Sequence, residues 1–211
     1  DKRFASLIKA GTLNASLTIN ALGEKKISDK LIGIFFEDIS YAADGGLYAE
    51  LIQNRDFEYS SSDNSKWNAK TAWRLEGEGT EWFVENDSPI HKNNSHYSQL
   101  RTTHPGARLI NDGWDGILVK GNARYDLSLF IKGNGKIRVS IVADRKTLAS
   151  CVIKASADWR QLKSVLTPSS SAGNASLVIE PLQEGTIAID FVSLFPRDTF
   201  MGRKNGLRKD L

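Results

Sequence analysis

From residue 67 to residue 195 one short strand pattern follows another, separated by turn residues with little sign of a helical period. The runs fall at 73–75, 81–84, 97–100, 117–119, 125–131, 137–142, 151–153, 160–166, 175–179 and 186–192. Residues 125–131 and 160–166 alternate apolar with polar, as half-buried strands do, because successive side chains on a strand point to opposite faces. Gly133 and Gly135, either side of Asn134, give the backbone freedom to turn the chain between two of these strands. Such a succession points to an antiparallel sandwich rather than to repeated strand-helix units. The expected fold class is therefore mainly β, a jelly-roll β-sandwich.

The 211 residues, 40% hydrophobic and 25% charged, suffice for one domain with a sizeable core plus extensions. Lys and Arg number 28 against 25 Asp and Glu, a net charge of +3 that is too slight to draw the chain to nucleic acid or to a membrane surface. The basic residues gather only at the end, in Arg197, Arg203, Lys204, Arg208 and Lys209, which read as a solvated segment rather than an anion site. The single cysteine, Cys151, excludes an intramolecular disulfide and a cysteine metal cluster and reads as a small core residue. No segment approaches the roughly 18 apolar residues of a membrane-spanning helix, so no membrane partner is expected. The amino terminus shows no signal-peptide pattern, and a mature secreted protein would look the same.

Residues 13–20 place Leu13, Ala15, Leu17 and Ile19 on one face of a half-buried strand. The run 31–36 is nearly continuous in apolar residues, as in a strand covered on both faces. Within 44–54, Leu47 and Leu51, then Tyr48 and Ile52, lie four apart, so the spacing predicts an amphipathic helix entered through Gly45 and Gly46. A Ser-, Asp- and Asn-rich stretch over 60–66 marks entry into the sandwich. The expected division is 1–59 for an amino-terminal strand and a first strand-helix unit, 60–196 for the sandwich, and 197–211 for the start of a returning segment.

The order Glu37-Asp38, Gly45-Gly46, Glu50 and Asn54-Arg55-x-Phe57-Glu58 resembles the opening of the α-L-arabinofuranosidases of glycoside hydrolase family 51. The resemblance is strong over about 13–58, looser over the sandwich, and resumes from Phe195 to Asp210. It implies that the chain is the amino-terminal part of a retaining arabinofuranosidase acting on terminal arabinofuranosyl residues of arabinan or arabinoxylan. The strand over 31–36 and the helix over 44–54 would then be the first strand-helix unit of a (β/α) barrel whose remainder lies beyond Leu211. A missing barrel domain in cis and a plant cell-wall polysaccharide are the implied partners, and the compartment is secreted or periplasmic. The sandwich also resembles carbohydrate-binding modules of the galactose-binding-like class, through Asn54-x-x-Phe57-Glu58, Trp67 and the strand over 189–194. The competing reading is a non-catalytic carbohydrate-binding or purely structural β-sandwich module.

Glycoside hydrolysis needs two converging carboxyl groups. Glu37 and Asp38 are neighbours on an expected strand and so point to opposite faces, which makes them a poor acid and nucleophile pair. In the resembling family the residue matching Glu37 binds sugar hydroxyls, while the acid/base and nucleophile glutamates lie on later strands, so no catalytic residue is expected in this chain. Glu37 is the first substrate-binding candidate, against a carboxylate that only caps the Gly-Gly turn. Asp38 and Glu50 are expected to stabilise the turn and helix, and Asn54 with Arg55 to hold the junction to the sandwich. Trp114 is the second substrate-binding candidate, because Asn111-Asp-Gly-Trp-Asp-Gly116 is a loop composition in which a large ring tends to stay accessible. No cofactor is expected for catalysis. Many modules of the resembling class hold a structural calcium, which gives Glu58 and Asp190 as candidate ligands, against ordinary hydrogen-bonded acids. His91, His96 and His104, spaced by five and eight residues, form no tight ligand pair and read as surface loop. Neither a nucleophile-elbow serine nor a phosphate-loop glycine pattern is present.

Overall fold

A computed structural model describes residues 16–18, 26, 28–31, 33, 35–37, 39 and 41–211. The expected strand over 13–20 falls largely outside the described residues, as does Asp38; of 31–36, residues 31, 33, 35 and 36 are described, none lies in a strand, and Leu31, Phe35 and Phe36 are exposed rather than covered on both faces. Residues Asp1–Phe36 and Glu37–Leu211 make two separate compact units, and the second holds the sandwich.

Eleven strands build it: β1 (Trp73–Glu76), β2 (Thr80–Glu85), β3 (Tyr97–Thr102), β4 (Arg108–Asn111), β5 (Ile117–Val119), β6 (Tyr125–Gly133), β7 (Lys136–Ala143), β8 (Lys146–Lys154), β9 (Arg160–Leu166), β10 (Ala172–Pro181) and β11 (Gly185–Pro196). One antiparallel sheet runs β1-β4-β10-β7-β8 with β5 also paired to β10, and the other runs β2-β3-β11-β6-β9. The two-sheet sandwich expected from the strand succession is the observed fold. Along β6 the alternation read from sequence buries Tyr125, Leu127, Leu129 and Ile131 and turns the residues between them outward. Leu109, Leu177, Ile179, Ile137, Val139 and Ile141 from the other sheet are likewise fully buried and share one core cluster with them. Each such side chain contributes about 1.5–3 kcal/mol against the entropy of ordering the chain.

Two connections differ from the sequence reading. Gly133-Asn134-Gly135 does turn the chain, but from one sheet to the other: β6 pairs with β9 and β11, while β7 pairs with β8 and β10. The arch is pinned by Gly133 N–H on Ser156 O (2.7 Å) and Asn134 N–H on Thr186 O (3.0 Å). The tight hairpin is instead β7–β8, through Asp144 and Arg145 at φ 48° and 64°, the left-handed pair a two-residue turn demands. Strand β4, four residues between Pro105-Gly106 and Asp112-Gly113, was not expected, yet it links β1 to β10.

The helix predicted over 44–54 is absent, and the described residues contain no α-helix. Turns occupy 41–47, and the chain then runs extended along the sandwich. Ala49 N–H bonds Gly206 O (3.2 Å), Leu51 N–H bonds Leu194 O (3.1 Å) and Arg208 N–H bonds Leu47 O (2.8 Å). These groups find long-range partners that an isolated helical turn could not match, and Ala49 and Ile52 are buried at 1% exposure. The period of four was produced by contact with β11, not by a helix. The end of the chain carries a 3₁₀ turn at Phe200–Gly202 and a bridge from Leu207 to Tyr48.

Candidate functional site

The strap from 41 to 59 carries most of the residues singled out from the sequence, and it lies against the bulge in β11 between Asp190 and Ser193. Glu50, 4% exposed, anchors it. Its carboxylate accepts from Ser193 Oγ (2.5 Å), Leu194 N–H (2.8 Å) and Ile52 N–H (3.1 Å), and Arg55 stands 3.6 Å away. Burial nevertheless pushes its pKa up, because desolvation outweighs those hydrogen bonds. Asn54 holds the junction: its amide donates to Ala69 O (3.0 Å) and Thr71 O (2.8 Å), and its side-chain oxygen accepts from Tyr59 N–H (3.2 Å). Trp73 Nε1 donates to Asn54 O at 2.9 Å, which satisfies a core indole.

Glu58 and Asp190 are drawn into one electrostatic neighbourhood, together with Asp56, which the sequence reading did not name. Asp190 is fully buried. Burial, first, and then the charges of Asp56 and Glu58 push its carboxyl up to about 8, against hydrogen bonds from Phe191 N–H (2.7 Å) and Asn94 Nδ2 (2.7 Å). Desolvation also raises Asp56. Glu58 has both oxygens engaged by His96, which donates its backbone N–H (2.7 Å) and its Nδ1 proton (2.7 Å). His96 was expected only as part of a surface loop; its side chain is 41% exposed and clamps this acid. Among the described residues, no group of three or more His, Cys, Asp and Glu side chains is placed to hold a metal ion. The expected calcium ligands Glu58 and Asp190 thus share one electrostatic neighbourhood. Asp56 sits inside the same Asn54–Glu58 motif, but nothing in sequence separates it from an ordinary surface acid.

Glu37 is exposed. Its carbonyl accepts from Ile39 N–H at 2.9 Å, the short-range contact of a turn. Trp114, expected as an accessible platform, is partly buried with its ring over Gly45, where a Cβ would meet it at 2.4 Å. Tyr41 meets it edge-on at 4.8 Å, Tyr41 lies parallel to Trp67 at 6.4 Å, and Tyr59 stacks on Trp67 at 4.3 Å. The buried Nε1 of Trp114 has no hydrogen-bond partner. Burial pushes Tyr59 in this row up to about 12. The aromatics therefore pack the strap onto the sandwich, with Tyr41 (44% exposed) the most open of the four.

Beside the row, on the far side of the 112–116 loop, opens a cleft of about 530 Å³ lined by Gln53, Ala72, Arg74, Asp112, Asp115 and Asn174 among others. Sequence reasoning missed it, because its residues come from four separated segments.

No family model matches the chain. Over 98% of its length it is 35% identical to an extracellular exo-α-L-arabinofuranosidase of Streptomyces chartreusis, and over 90% it is 31% identical to α-L-arabinofuranosidase 1 of Arabidopsis thaliana. An arabinose-bound α-L-arabinofuranosidase of family GH51 superposes on 83% of the chain, with TM-score 0.70 and 30% identity, and the match covers 30% of that structure. A bacteriophage tailspike domain, 16% identical at TM-score 0.52, shares the fold alone. The sandwich and its strap therefore match a portion of glycoside hydrolases. Among these, the chain is homologous to the α-L-arabinofuranosidases, and it spans between 26% and 32% of the length of the curated relatives it matches.

Proposed function

We propose that these 211 residues are the sandwich-bearing portion of a retaining α-L-arabinofuranosidase that removes terminal arabinofuranosyl residues from arabinan or arabinoxylan, with the catalytic glutamate pair supplied by the rest of the protein. The observation that carries this is the match along 98% of the chain to an arabinofuranosidase at 35% identity. The carboxylates grouped here support the second half of the proposal: Asp190 is sealed from solvent and Glu58 is occupied by His96, whereas a retaining pair must stand about 5–5.5 Å apart around an open glycosidic bond. Glu37, exposed, is free to take a sugar hydroxyl in the complete site. The strap then joins that site to the sandwich through Glu50 and Asn54. The remaining domain in cis and a plant cell-wall polysaccharide are the partners of this reading, and a secreted or periplasmic location suits a relative named as extracellular.

A structural role for the sandwich has its own support, since Trp114 is closed down on Gly45 and Tyr41 rather than held open. The test is hydrolysis of a chromogenic α-L-arabinofuranoside by the protein extended to its relatives' length and by the 211-residue chain. Activity in the long form alone is the expected result. Inactivity of both removes the substrate assignment and leaves the module reading.

A further inference from the structure

The sequence holds two Asn-Gly pairs, Asn134-Gly135 and Asn205-Gly206. In such a pair the asparagine carboxamide can close a five-membered ring onto the following peptide nitrogen, because glycine puts no side chain in the way. The fold treats the two pairs oppositely. We propose that Asn205 is a site of spontaneous deamidation, to aspartate and isoaspartate, and that the isoaspartate form unclips the strap from the end of the chain. The proposal does not depend on the hydrolase reading.

Asn134 is locked. Its backbone N–H bonds Thr186 O (3.0 Å), its side-chain oxygen accepts from Thr186 N–H (2.9 Å), and the next carbonyl, of Gly135, accepts from Ala155 N–H (3.0 Å). Gly135 itself is buried, with Ile187 Cδ1 2.8 Å from where a Cβ would stand. To react, the carboxamide must leave Thr186 and the arch between the sheets must distort. Asn205 is held by none of this. It is exposed in the turn over 204–205, and among the described residues its side chain makes no hydrogen bond. Its φ of 49° lies in the left-handed region, which asparagine tolerates better than most residues. That accounts for an asparagine here without giving its carboxamide a partner.

Charge adds to exposure. The nucleophile is the deprotonated nitrogen of Gly206, and the adjoining Arg203 and Lys204 are exposed and, among the described residues, form no ion pair. Arg208 and Lys209, by contrast, are met by Asp210 (2.6 Å) and Asp198 (2.8 Å). The unopposed positive potential around 203–205 favours the anion that attacks. The Asp-Gly pairs at 44, 112 and 115 offer a carboxylate, a far poorer electrophile than an amide. At Gly113 and Gly116 the N–H is also already bonded, to Asn111 Oδ1 and Asp112 O, each at 2.8 Å.

The reaction balances without an oxidant or a cofactor. Gly206 N loses its proton to hydroxide and bonds to Asn205 Cγ; the Cγ–Nδ2 bond breaks, and Nδ2 takes a proton from water and leaves as ammonia. Water then opens the succinimide. Cleavage at Cγ leaves ordinary aspartate, and cleavage at the main-chain carbonyl leaves isoaspartate, in which the chain runs through Cβ and Cγ. That detour lengthens the main chain by one carbon, about 1.5 Å, immediately before the residues that hold the strap. Gly206 O accepts from Ala49 N–H at 3.2 Å, Leu207 bridges Tyr48, and Arg208 N–H bonds Leu47 O at 2.8 Å. The Gly206 bond is already near the outer limit of an N–H···O contact, so the added length breaks it first. Ala49, 1% exposed, has no water to replace it.

The experiment is peptide mapping by mass spectrometry of the 211-residue chain, incubated below its melting temperature in neutral and mildly alkaline buffer beside free peptides spanning 132–137 and 203–208. Asn205 is expected to convert at a rate close to that of its free peptide, faster in the alkaline buffer, whereas Asn134 converts at least about tenfold more slowly than its own. Asn205 protected as strongly as Asn134, or Asn134 converting first, would overturn the proposal. Amide exchange over 47–51, read at one pH in fresh and aged protein, tests the consequence. The isoaspartate fraction should exchange at least about tenfold faster there, and unchanged exchange refutes the unclipping. Asn205→Gly, which suits φ 49°, and Asn205→Gln, whose longer side chain closes the ring far more slowly, should keep the fresh exchange rate through the same incubation, with thermal melts showing that each is folded. Loosening of the strap in either variant as it ages would place the cause elsewhere and remove the assignment to Asn205.

Discussion

Asp190 sets a pH dependence that can be worked from its surroundings. Its carboxyl titrates near 8 in the fold, against about 3.8 in the unfolded chain, so between those limits the native state holds a proton that the unfolded state has released. The unfolding free energy then falls as pH rises, by about 1.4 kcal/mol per unit. The contribution is fully present below about pH 4 and is lost as pH climbs through 8. From pH 5 to pH 7.5 the loss is about 3 kcal/mol. Asp190→Asn keeps the acceptor for Phe191 N–H and removes the titration. Its amide must turn Asn94 over to find a partner, which forfeits the Asn94 bond to His96 O (3.2 Å) and costs about 1 kcal/mol at every pH. Counted from below pH 4, the wild type has lost about 1.7 kcal/mol by pH 5 and about 5 by pH 7.5, so urea unfolding in EDTA, followed by tryptophan fluorescence, should show the variant more stable by about 0.7 kcal/mol at pH 5 and by about 4 kcal/mol at pH 7.5. Glu50 and Asp56, also raised by burial, titrate in both proteins and largely cancel in the difference. Parallel stability curves, with a wild-type-to-variant gap that moves by less than about 1 kcal/mol across the interval, would refute the assignment of a buried, protonated Asp190.

Three further substitutions or conditions address the strap and the acids. Glu50→Ala strands the buried N–H groups of Leu194 and Ile52 and is expected to cost about 2–4 kcal/mol, whereas Glu50→Gln keeps an acceptor for both and should cost about 1; equal losses in chemical denaturation would show that the carboxylate is not the anchor. Gly45→Ala puts a Cβ 2.4 Å from the Trp114 ring at φ 84° and should lower stability by about 2–4 kcal/mol. Adding Trp114→Ala should recover part of that loss, and strict additivity in the double-mutant cycle would contradict the contact. The calcium proposal has its own signature: a cation on Asp190 must ionise it and release Glu58 from His96, so calcium should raise the melting temperature more at pH 8 than at pH 5 and leave Asp190→Asn unmoved. The absence of any shift against EDTA at both pH values withdraws the cation.

How much of this was legible in the sequence depended on whether a residue's partner was near it or far from it in the chain. The alternation of 125–131 reports its own burial, since each side chain faces either the core or solvent whatever lies beyond, and β6 follows it residue by residue. The stripe at Leu47, Tyr48, Leu51 and Ile52 reports burial just as faithfully but not conformation. Apolar residues four apart satisfy a helix, and they equally satisfy an irregular strap whose N–H groups are taken up by Leu194 and Gly206, more than 140 residues away. Gly133-Asn134-Gly135 marks a turn without saying whether it closes a hairpin or crosses between sheets. Asp144-Arg145 closes a hairpin without the glycine that would have announced it.

The candidate sites divide along the same line. Asn54 and Glu58 lie in one short motif, so a resemblance could find them, and the contact of Asn54 with Ala69 and Thr71 follows from local chain order. Asp190 could be named, but its burial depends on Asn94, Asp56 and the β11 bulge arriving together, and only the fold assembles them. Trp114 shows the limit most clearly. A tryptophan between Gly113 and Asp115 has the composition of an accessible loop, but the ring lies where a Cβ at position 45 would stand only 2.4 Å from it. Gly45, read from sequence as the entry to a helix, instead leaves the space that the indole fills. The residue that decides the exposure of Trp114 thus lies 69 positions earlier, and the loop turns its Asp112 and Asp115 outward to the cleft while its aromatic ring holds the strap.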